Sequence, residues 1–207
     1  TALDQIAARL AGSAPEDPPA AESLRLTLRS GNETERREVL ARCVTSPRIS
    51  HLPVLTSHLT VEGSPPVLAA LVRAVLAHRD ESTLDAALKL LYHPDARVRA
   101  AAVEGFWEWE HPRVHKAVLD RRGDPAPRVK GDALVFAVLM DRRAAAEQVR
   151  SMLASDKPWV RLAGVYVLGR VRREWATPLL SAVLADPHQA PVVKDLAREV
   201  VSSLSVA

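Results

Sequence analysis

The chain has 207 residues, of which 47% are hydrophobic but only 4% aromatic. Its core must therefore be built from Ala, Val and Leu, which favours closely packed helices over a β-sandwich. A single cysteine, Cys43, excludes a disulfide framework or a cysteine-based metal site within one chain, and the net charge of +3 is a mild basic bias without a polybasic tail. No apolar run approaches the roughly 18 residues that span a bilayer and no signal-peptide pattern opens the chain, so we expect a cytoplasmic protein. Because the chain starts at Thr1 rather than Met, we expect a fragment of a longer protein.

In chain order, the pattern predicts a cap helix at 2–11 and a loop at 13–20, then repeats over 21–203 and a frayed tail at 204–207. We interpret the whole of 1–207 as a single repeat domain. Each repeat pairs an A helix with a B helix. The predicted A helices cover 21–30, 49–60, 82–92, 113–122, 144–154 and 175–185.

The B helices share one register. Val98, Val129 and Val160 lie 31 residues apart, and further steps of 31 or 32 residues reach Arg36, Val67 and Val192. Apolar or small residues follow most of these anchors at helical spacing, which is the pattern of one buried helix face. Neither helix of a pair buries its face alone, so neighbouring pairs must stack. The sequence therefore predicts an all-α solenoid of about six helix pairs.

Proline marks the helix boundaries. Most B helices are preceded by proline, where the missing N–H costs little. Pro53 and Pro178 fall inside predicted A helices instead, so we expect a kink or a late helix start at both.

A recurring motif in the B helices resembles that of a known repeat family. The pattern D-x-x-V-R-x-x-A occurs at Asp95, Val98 and Arg99 with Ala102, and a variant with one more residue before the valine occurs at Asp156, Val160 and Arg161 with Leu168-Gly169. It resembles the bacterial HEAT repeat of phycobilisome-lyase-type proteins. Families with this repeat include scaffolds, chromophore lyases, DNA glycosylases and a diiron hydroxylase, so the resemblance implies a fold and leaves the function open.

Signatures of catalysis are absent from the sequence. It holds no G-x-S-x-G, no glycine-rich phosphate loop, no C-x-x-C and no H-E-x-x-H. None of the 7 His is followed by Glu, which excludes the His-Glu pairs of the HEAT-repeat hydroxylases. His111 and His115 lie near Glu108, but Pro112 starts a new helix between them, so we interpret both as surface or turn histidines. We predict no enzyme, no cofactor and no metal.

Two carboxylates stand at a position where other repeats have alanine. Asp132 and Asp195 come third after their anchor residues, where a charge is costly unless it is paired. One interpretation is a ladder in which Asp132 reaches Arg99 or Arg161 on an adjacent repeat. The other is a perturbed acid in a groove.

The B helices of HEAT-like solenoids line the concave wall, which predicts a groove patch in mid-chain. The positions that would face the groove combine apolar, aromatic and charged residues: Trp107, Val135, Leu139, Tyr166, Glu104, Glu108 and Arg170. Aromatic anchors ringed by polar residues are typical of binding hot spots. Cover by a neighbouring helix, or by a further part of the chain, is the alternative.

The turns that enter and leave the B helices differ in charge. Acids precede the B helices, and the turns that follow them form a predicted basic ridge of Arg48, Arg79, Arg113, Arg142, Arg143, Arg172 and Arg173. Complementing the helix dipoles explains both sets. Binding of an acidic protein or of phosphate are the other interpretations of the ridge.

We predict from these features a non-catalytic scaffold that binds another protein, such as one with an acidic segment, through the groove or the ridge. The alternative is a nucleic-acid-binding protein of the alkylpurine DNA glycosylase type. That resemblance requires aromatic residues and an acid in a basic cleft; Trp107, Trp159 and Arg161 favour it, whereas Glu104 and Glu108 would repel phosphate. A third hypothesis, a phycobilin-lyase-like subunit, is supported by the repeat type only. The partner and the oligomeric state stay open.

Overall fold

A computed structural model describes residues 19–140, 143–171 and 175–205, with the side chains of 143, 144 and 205 left out. In this part of the chain every regular element is helical, as the sequence predicts. The helices are α1 (Ala21–Ser30), α2 (Glu33–Thr45), α3 (Leu52–His58), α4 (Pro65–Leu76), α5 (Leu84–Leu90), α6 (Ala96–Gly105), α7 (Pro112–Asp120), α8 (Pro127–Leu139), α9 (Arg143–Leu153), α10 (Pro158–Val171), α11 (Ala176–Ala185) and α12 (Pro191–Ser205).

The alternation of A and B helices is confirmed, and α1, α3, α5, α7, α9 and α11 are the A helices. The late start expected at Pro53 is real, because a 3-10 turn at Ile49–His51 comes first and the proline then occupies the first turn of α3. Pro178 likewise lies in the first turn of α11. The last helix continues to Ser205, beyond the predicted start of the tail at 204. The predicted cap helix at 2–11 lies outside the described residues.

The chain divides into two compact units, Thr1–Ala87 and Leu88–Ala207. In the first unit α2 stacks on α4, and α1 and α3 pack against these B helices. Its core is mainly leucine, with Leu24, Leu40, Leu55 and Leu71 fully buried.

The second unit carries the longer stack. The B helices α6, α8, α10 and α12 pack in sequence, each on the next, while α7, α9 and α11 pack alongside. Phe106, Phe136 and Leu168 are among its buried side chains. The helix α8 is the most enclosed element, because α6, α7, α9 and α10 all contact it and every residue from Gly131 to Val138 is buried.

The predicted register holds through α8 and fails in α12. Val98 and Val129 are fully buried and Val160 is half-buried, but Val192 is 52% exposed and its neighbour Val193 is buried instead. The spacing to the last anchor is therefore one residue longer than expected. This shift turns Asp195 toward solvent, so the predicted cost of burying it does not arise.

Acids that enter the B helices cap them and join neighbouring repeats. Asp95 accepts a hydrogen bond from the backbone N–H of Arg97 at the start of α6, as predicted for capping. Asp124 accepts one from the N–H of Ala126 and pairs with Arg99 of the preceding B helix at 2.9 Å. In the first unit Arg36 and Glu62 make the equivalent pair at 2.7 Å. Glu62 and Asp124 are thus held inside the stack and do not form an open acidic ridge.

Candidate functional site

Three consecutive B helices of the second unit bring together Trp107, Arg128, Asp132, Tyr166 and Arg170, which we call the aromatic–arginine cluster. Trp107 follows the end of α6, Arg128 and Asp132 belong to α8, and Tyr166 and Arg170 belong to α10. The cluster depends on the stacking of α6 on α8 and of α8 on α10.

Trp107 is fixed by a hydrogen bond and by a cation. Its indole Nε1 donates to the backbone carbonyl oxygen of Asp132 at 3.0 Å. The guanidinium carbon of Arg170 lies 4.8 Å from the centre of the Trp107 ring, within the range of a cation–π contact. The ring is half-buried, and its exposed face is thus partly covered by a charged side chain.

Arg128 holds the centre of the cluster. Its Nε donates to the Oδ2 atom of Asp132 at 2.9 Å, one helical turn away, and its Nη2 donates to the hydroxyl of Tyr166 at 3.1 Å. The guanidinium carbon also lies 4.3 Å from the centre of the Tyr166 ring. Burial alone would lower the pKa of Arg128, but Asp132, Tyr166 and Glu104 together outweigh this effect and raise the pKa. The side chain therefore stays charged.

Asp132 is a perturbed carboxyl that solvent does not reach. It is 0% exposed, and burial raises its pKa to about 6; the Arg128 charge opposes this shift and the Glu104 charge adds to it. Its Oδ1 atom has no hydrogen-bond partner in the described part of the chain. A buried acceptor without a partner is costly, so this carboxyl favours the protonated form more than an exposed one does.

The predicted ladder from Asp132 to Arg99 or Arg161 is wrong. Arg99 pairs with Asp124, and Arg161 donates to the carbonyl oxygen of Ser155 at 2.7 Å. Arg128 pairs with Asp132 instead of Arg99 or Arg161, because residues four apart on one helix lie on the same face.

Tyr166 is half-buried beside the same carboxyl. Burial raises the pKa of its hydroxyl well above the usual range, and the charge of Asp132 adds to this shift. The hydroxyl is therefore neutral and serves as the acceptor for Arg128. Both aromatic rings of the cluster pack against the hydrophobic core with part of their surface left open.

One of the predicted groove residues belongs to the core. Val135 is only 1% exposed, because α8 is surrounded by helices and its middle turns have no outward face. At the end of the same helix Leu139 is 46% exposed, and Met140 beside it is also exposed. Glu104 is half-buried, whereas Glu108 and Arg170 are exposed.

Sequence reasoning missed two features of this surface. Arg128 could have been found as the residue one turn before a buried Asp132. Trp159, which is 57% exposed, begins a row on α10 that continues through Leu162 and Tyr166 to Arg170 at spacings of three and four residues. That spacing places all four on one face of the helix.

The predicted basic ridge is described only in part. Arg48, Arg79 and Arg113 are exposed. Arg142, Arg172 and Arg173 lie outside the described residues, as does the side chain of Arg143. The ridge therefore stays a prediction.

The predicted turn histidines have structural contacts. His111 caps α7 by accepting from the N–H of Arg113, and the Nε2 atom of His115 lies 3.1 Å from the carbonyl oxygen of Trp109. Among the residues with described positions, no group of three or more His, Cys, Asp or Glu side chains is placed to hold a metal ion. Burial raises the pKa of the Cys43 thiol to about 11, which makes it a poor nucleophile.

Comparison with known proteins identifies the fold and nothing finer. No protein-family model and no curated protein matches the chain. Among solved structures, YibA from Escherichia coli is similar with a TM-score of 0.51 and 15% identity, over 90% of this chain and 68% of YibA. The fold is that of HEAT-like helical repeats. Human deoxyhypusine hydroxylase in complex with glycerol aligns over 93% of this chain and 86% of its own at 13% identity, but the TM-score of 0.42 is too low to support any inference.

Across the helices described, none combines the length and the apolar character needed to cross a membrane.

Proposed function

We propose that this chain is a non-catalytic interaction module that binds another protein through the aromatic–arginine cluster and the exposed residues beside it. The observation that carries the proposal is the composition of the cluster: Trp, Tyr and Arg are the residues most enriched in binding hot spots. Here they occupy one surface, with Leu139 and Met140 exposed at the end of α8.

The contacts within the cluster support this role because they hold the rings before any partner arrives. Trp107 is fixed by Asp132 and Arg170, and Tyr166 is fixed by Arg128. Side chains that are already ordered lose less conformational entropy on binding, so more of the contact energy appears as affinity.

The same geometry argues against catalysis at this site. Asp132 is the described acid whose pKa is raised toward neutrality, and it is fully buried beneath its neighbours. A general acid or base must come within hydrogen-bond distance of its substrate. A buried carboxyl that is paired with Arg128 has no such access.

The alternative of a DNA-glycosylase-like protein requires an acid that a flipped base reaches in a basic cleft. Asp132 is closed to solvent, and the charge of Glu104 acts on Arg128, Asp132 and Tyr166 within the cluster. We therefore place nucleic-acid binding second. The phycobilisome-lyase-type relationship, a bacterial origin and a cytoplasmic location stay predictions from the sequence.

The test compares two double variants as baits for affinity capture with quantitative mass spectrometry. Leu139→Gln with Arg170→Glu changes one exposed residue at the end of α8 and one exposed member of the cluster. The matched control, Leu26→Gln with Arg150→Glu, makes the same exchanges on the A helices α1 and α9. We expect specific partners to fall by about tenfold or more with the first bait and to be kept by the second. Proteins captured equally by both baits would contradict the proposed surface.

Alanine variants of Trp107 and Tyr166 would not separate an effect on binding from an effect on stability. Trp107 and Tyr166 pack on the core, so truncating either would lower stability together with affinity. Substitutions of the exposed residues Leu139 and Arg170 separate the effect on affinity from the effect on stability.

A further inference from the structure

We propose that the partner of this surface is a short apolar peptide segment with a carboxylate at one end, lying along α10 with the carboxylate on Arg170. This inference rests on the proposed function and adds the chemistry and direction of the bound segment.

The row on α10 supplies the apolar part of the site. Trp159, Leu162 and Tyr166 lie on one face of the helix, followed by Arg170 one turn later. At about 1.5 Å per residue the row is about 16 Å long, which matches a segment of a few residues. Trp159 is the most exposed aromatic ring in the row, whereas Leu162 and Tyr166 are half-buried and form its floor.

Arg170 supplies the charged end. Its guanidinium contacts the Trp107 ring, and within the described part of the chain it makes no hydrogen bond or ion pair. An arginine has five N–H donors in a planar fork that matches a carboxylate. Stacking on Trp107 fixes this fork in place and leaves its donors available to a ligand.

Three other exposed arginines, on α6, α8 and α12, differ from Arg170 because each already has an acid. Arg97 pairs with Asp95, Arg128 with Asp132, and Arg198 with Asp195. A single anionic group would therefore bind best at Arg170, which sets the direction of the segment on α10.

The residues at the same level of the preceding repeats favour a carboxylate over a polyanion. Counting from the anchor valines, Leu139 and Glu108 are equivalent to Arg170 on α8 and α6. An apolar residue beside Arg170 and an acid beyond it suit one carboxylate within an apolar segment. A nucleic-acid backbone carries a charge at every nucleotide and binds best to a row of cations, which Leu139 and Glu108 do not continue from Arg170.

The test is a selection of phage-displayed random dodecapeptides on the folded chain. We expect enrichment of peptides that combine apolar or aromatic residues with one Asp or Glu. The best peptide is then synthesised twice, once as selected and once with its acid replaced by the matching amide. Fluorescence polarisation measures the affinity of both for the parent chain, for Arg170→Gln, and for Arg198→Gln as the matched control.

The proposal requires a coupling between two groups. Arg170→Gln should lower the affinity for the acidic peptide by about tenfold and leave the affinity for the amide peptide nearly unchanged, as expected for one charge-assisted hydrogen-bonded pair. Arg198→Gln should alter neither. Because Arg170 is exposed and makes no hydrogen bond among the described residues, circular dichroism of the variant should match that of the parent.

A further variant, Trp159→Gln, separates failure of this inference from failure of the proposed function. One result would contradict the proposed carboxylate but still support the proposed surface: Trp159→Gln weakens peptide binding and Arg170→Gln does not. Selected peptides that carry bases in place of acids would have the same meaning. An empty selection, or peptides that ignore both variants and the double variant at Leu139 and Arg170, would overturn the carboxylate and the surface together.

Discussion

Asp132 shows how one buried carboxyl sets the pH dependence of this chain. Its pKa rises from the ordinary 3.8 to about 6 on folding, so between these values the folded chain holds a proton that the unfolded chain has released. A state that binds more protons loses stability as the pH rises. We expect this group to contribute a decrease of up to about 3 kcal/mol in the free energy of unfolding from pH 4 to pH 6.

Asp132→Asn is the variant that tests this expectation. The amide resembles the protonated acid and still accepts a hydrogen bond from Arg128, but it carries no charge to bury. We therefore expect a gain of about 2 kcal/mol at pH 7 and a smaller loss of stability between pH 4 and pH 6, measured by urea unfolding across pH. A variant that is less stable than the parent at pH 7 would show that the ion pair outweighs the burial.

Asp124→Asn is the matched control, with the opposite sign. Burial opposes ionisation of Asp124, but hydrogen bonds from Arg99 and from the backbone N–H of Ala126 outweigh it and lower the pKa. The ionised form stabilises the fold here. We expect Asp124→Asn to cost about 1 to 3 kcal/mol at pH 7, because Arg99 loses the negative charge of its partner and its two charge-assisted hydrogen bonds become weaker.

At the scale of the element, glycine permits a close approach between α10 and α12. A Cβ atom on Gly169 of α10 would lie 2.9 Å from the Cγ2 atom of Val200 on α12, and a valine side chain has no flexible end that moves away. A Cβ atom on Gly131 of α8 would meet its nearest neighbour, Val167, at an ordinary 3.5 Å. We expect Gly169→Ala to cost about 1 to 3 kcal/mol and Gly131→Ala to be neutral or stabilising by up to about 1 kcal/mol, both by thermal unfolding. Equal effects at the two glycines would mean that α10 and α12 are not in such close contact.

The register of the last repeat provides a second prediction at this scale. Val129→Asp should lower the melting temperature by about 10 °C or more, because it buries a charge without a partner. Val192→Asp should change it by only a degree or two, because this residue is exposed in the first turn of α12, where an acid complements the helix dipole. If Val192→Asp were as damaging as Val129→Asp, the original spacing of the anchors would be restored.

At the scale of the whole molecule, the net charge of +3 provides little long-range attraction for nucleic acid. We expect no complex with duplex or single-stranded oligonucleotides tighter than about 10 µM at physiological salt, a weak non-specific level. Fluorescence anisotropy across a range of salt concentrations measures this. A sub-micromolar complex whose affinity falls steeply with salt, or release of alkylated bases from DNA, would instead favour the glycosylase-type alternative.

The candidate site was only partly predictable from the sequence. Leu139 and Arg170 could be placed on the surface because the repeat assigns each a position on its helix. Val135 occupies an equally valid position and is buried, since enclosure depends on how many helices surround α8 and not on its own residues. The partner of Asp132 was missed because several arginines lie within reach along the sequence, and only the side-chain geometry selects Arg128.

The sequence by itself determined that the chain is helical, where the A and B helices begin, and that the repeat is HEAT-like. These features depend on local periodicity and on proline at helix starts, and they act over a few residues. The tertiary structure alone decided that Val193 replaces Val192 as the last anchor, that Arg128 is the partner of Asp132, and that the rings of Trp107 and Tyr166 are covered by arginines. Those outcomes depend on contacts between residues about 25 to 63 positions apart, which are set by how neighbouring repeats pack.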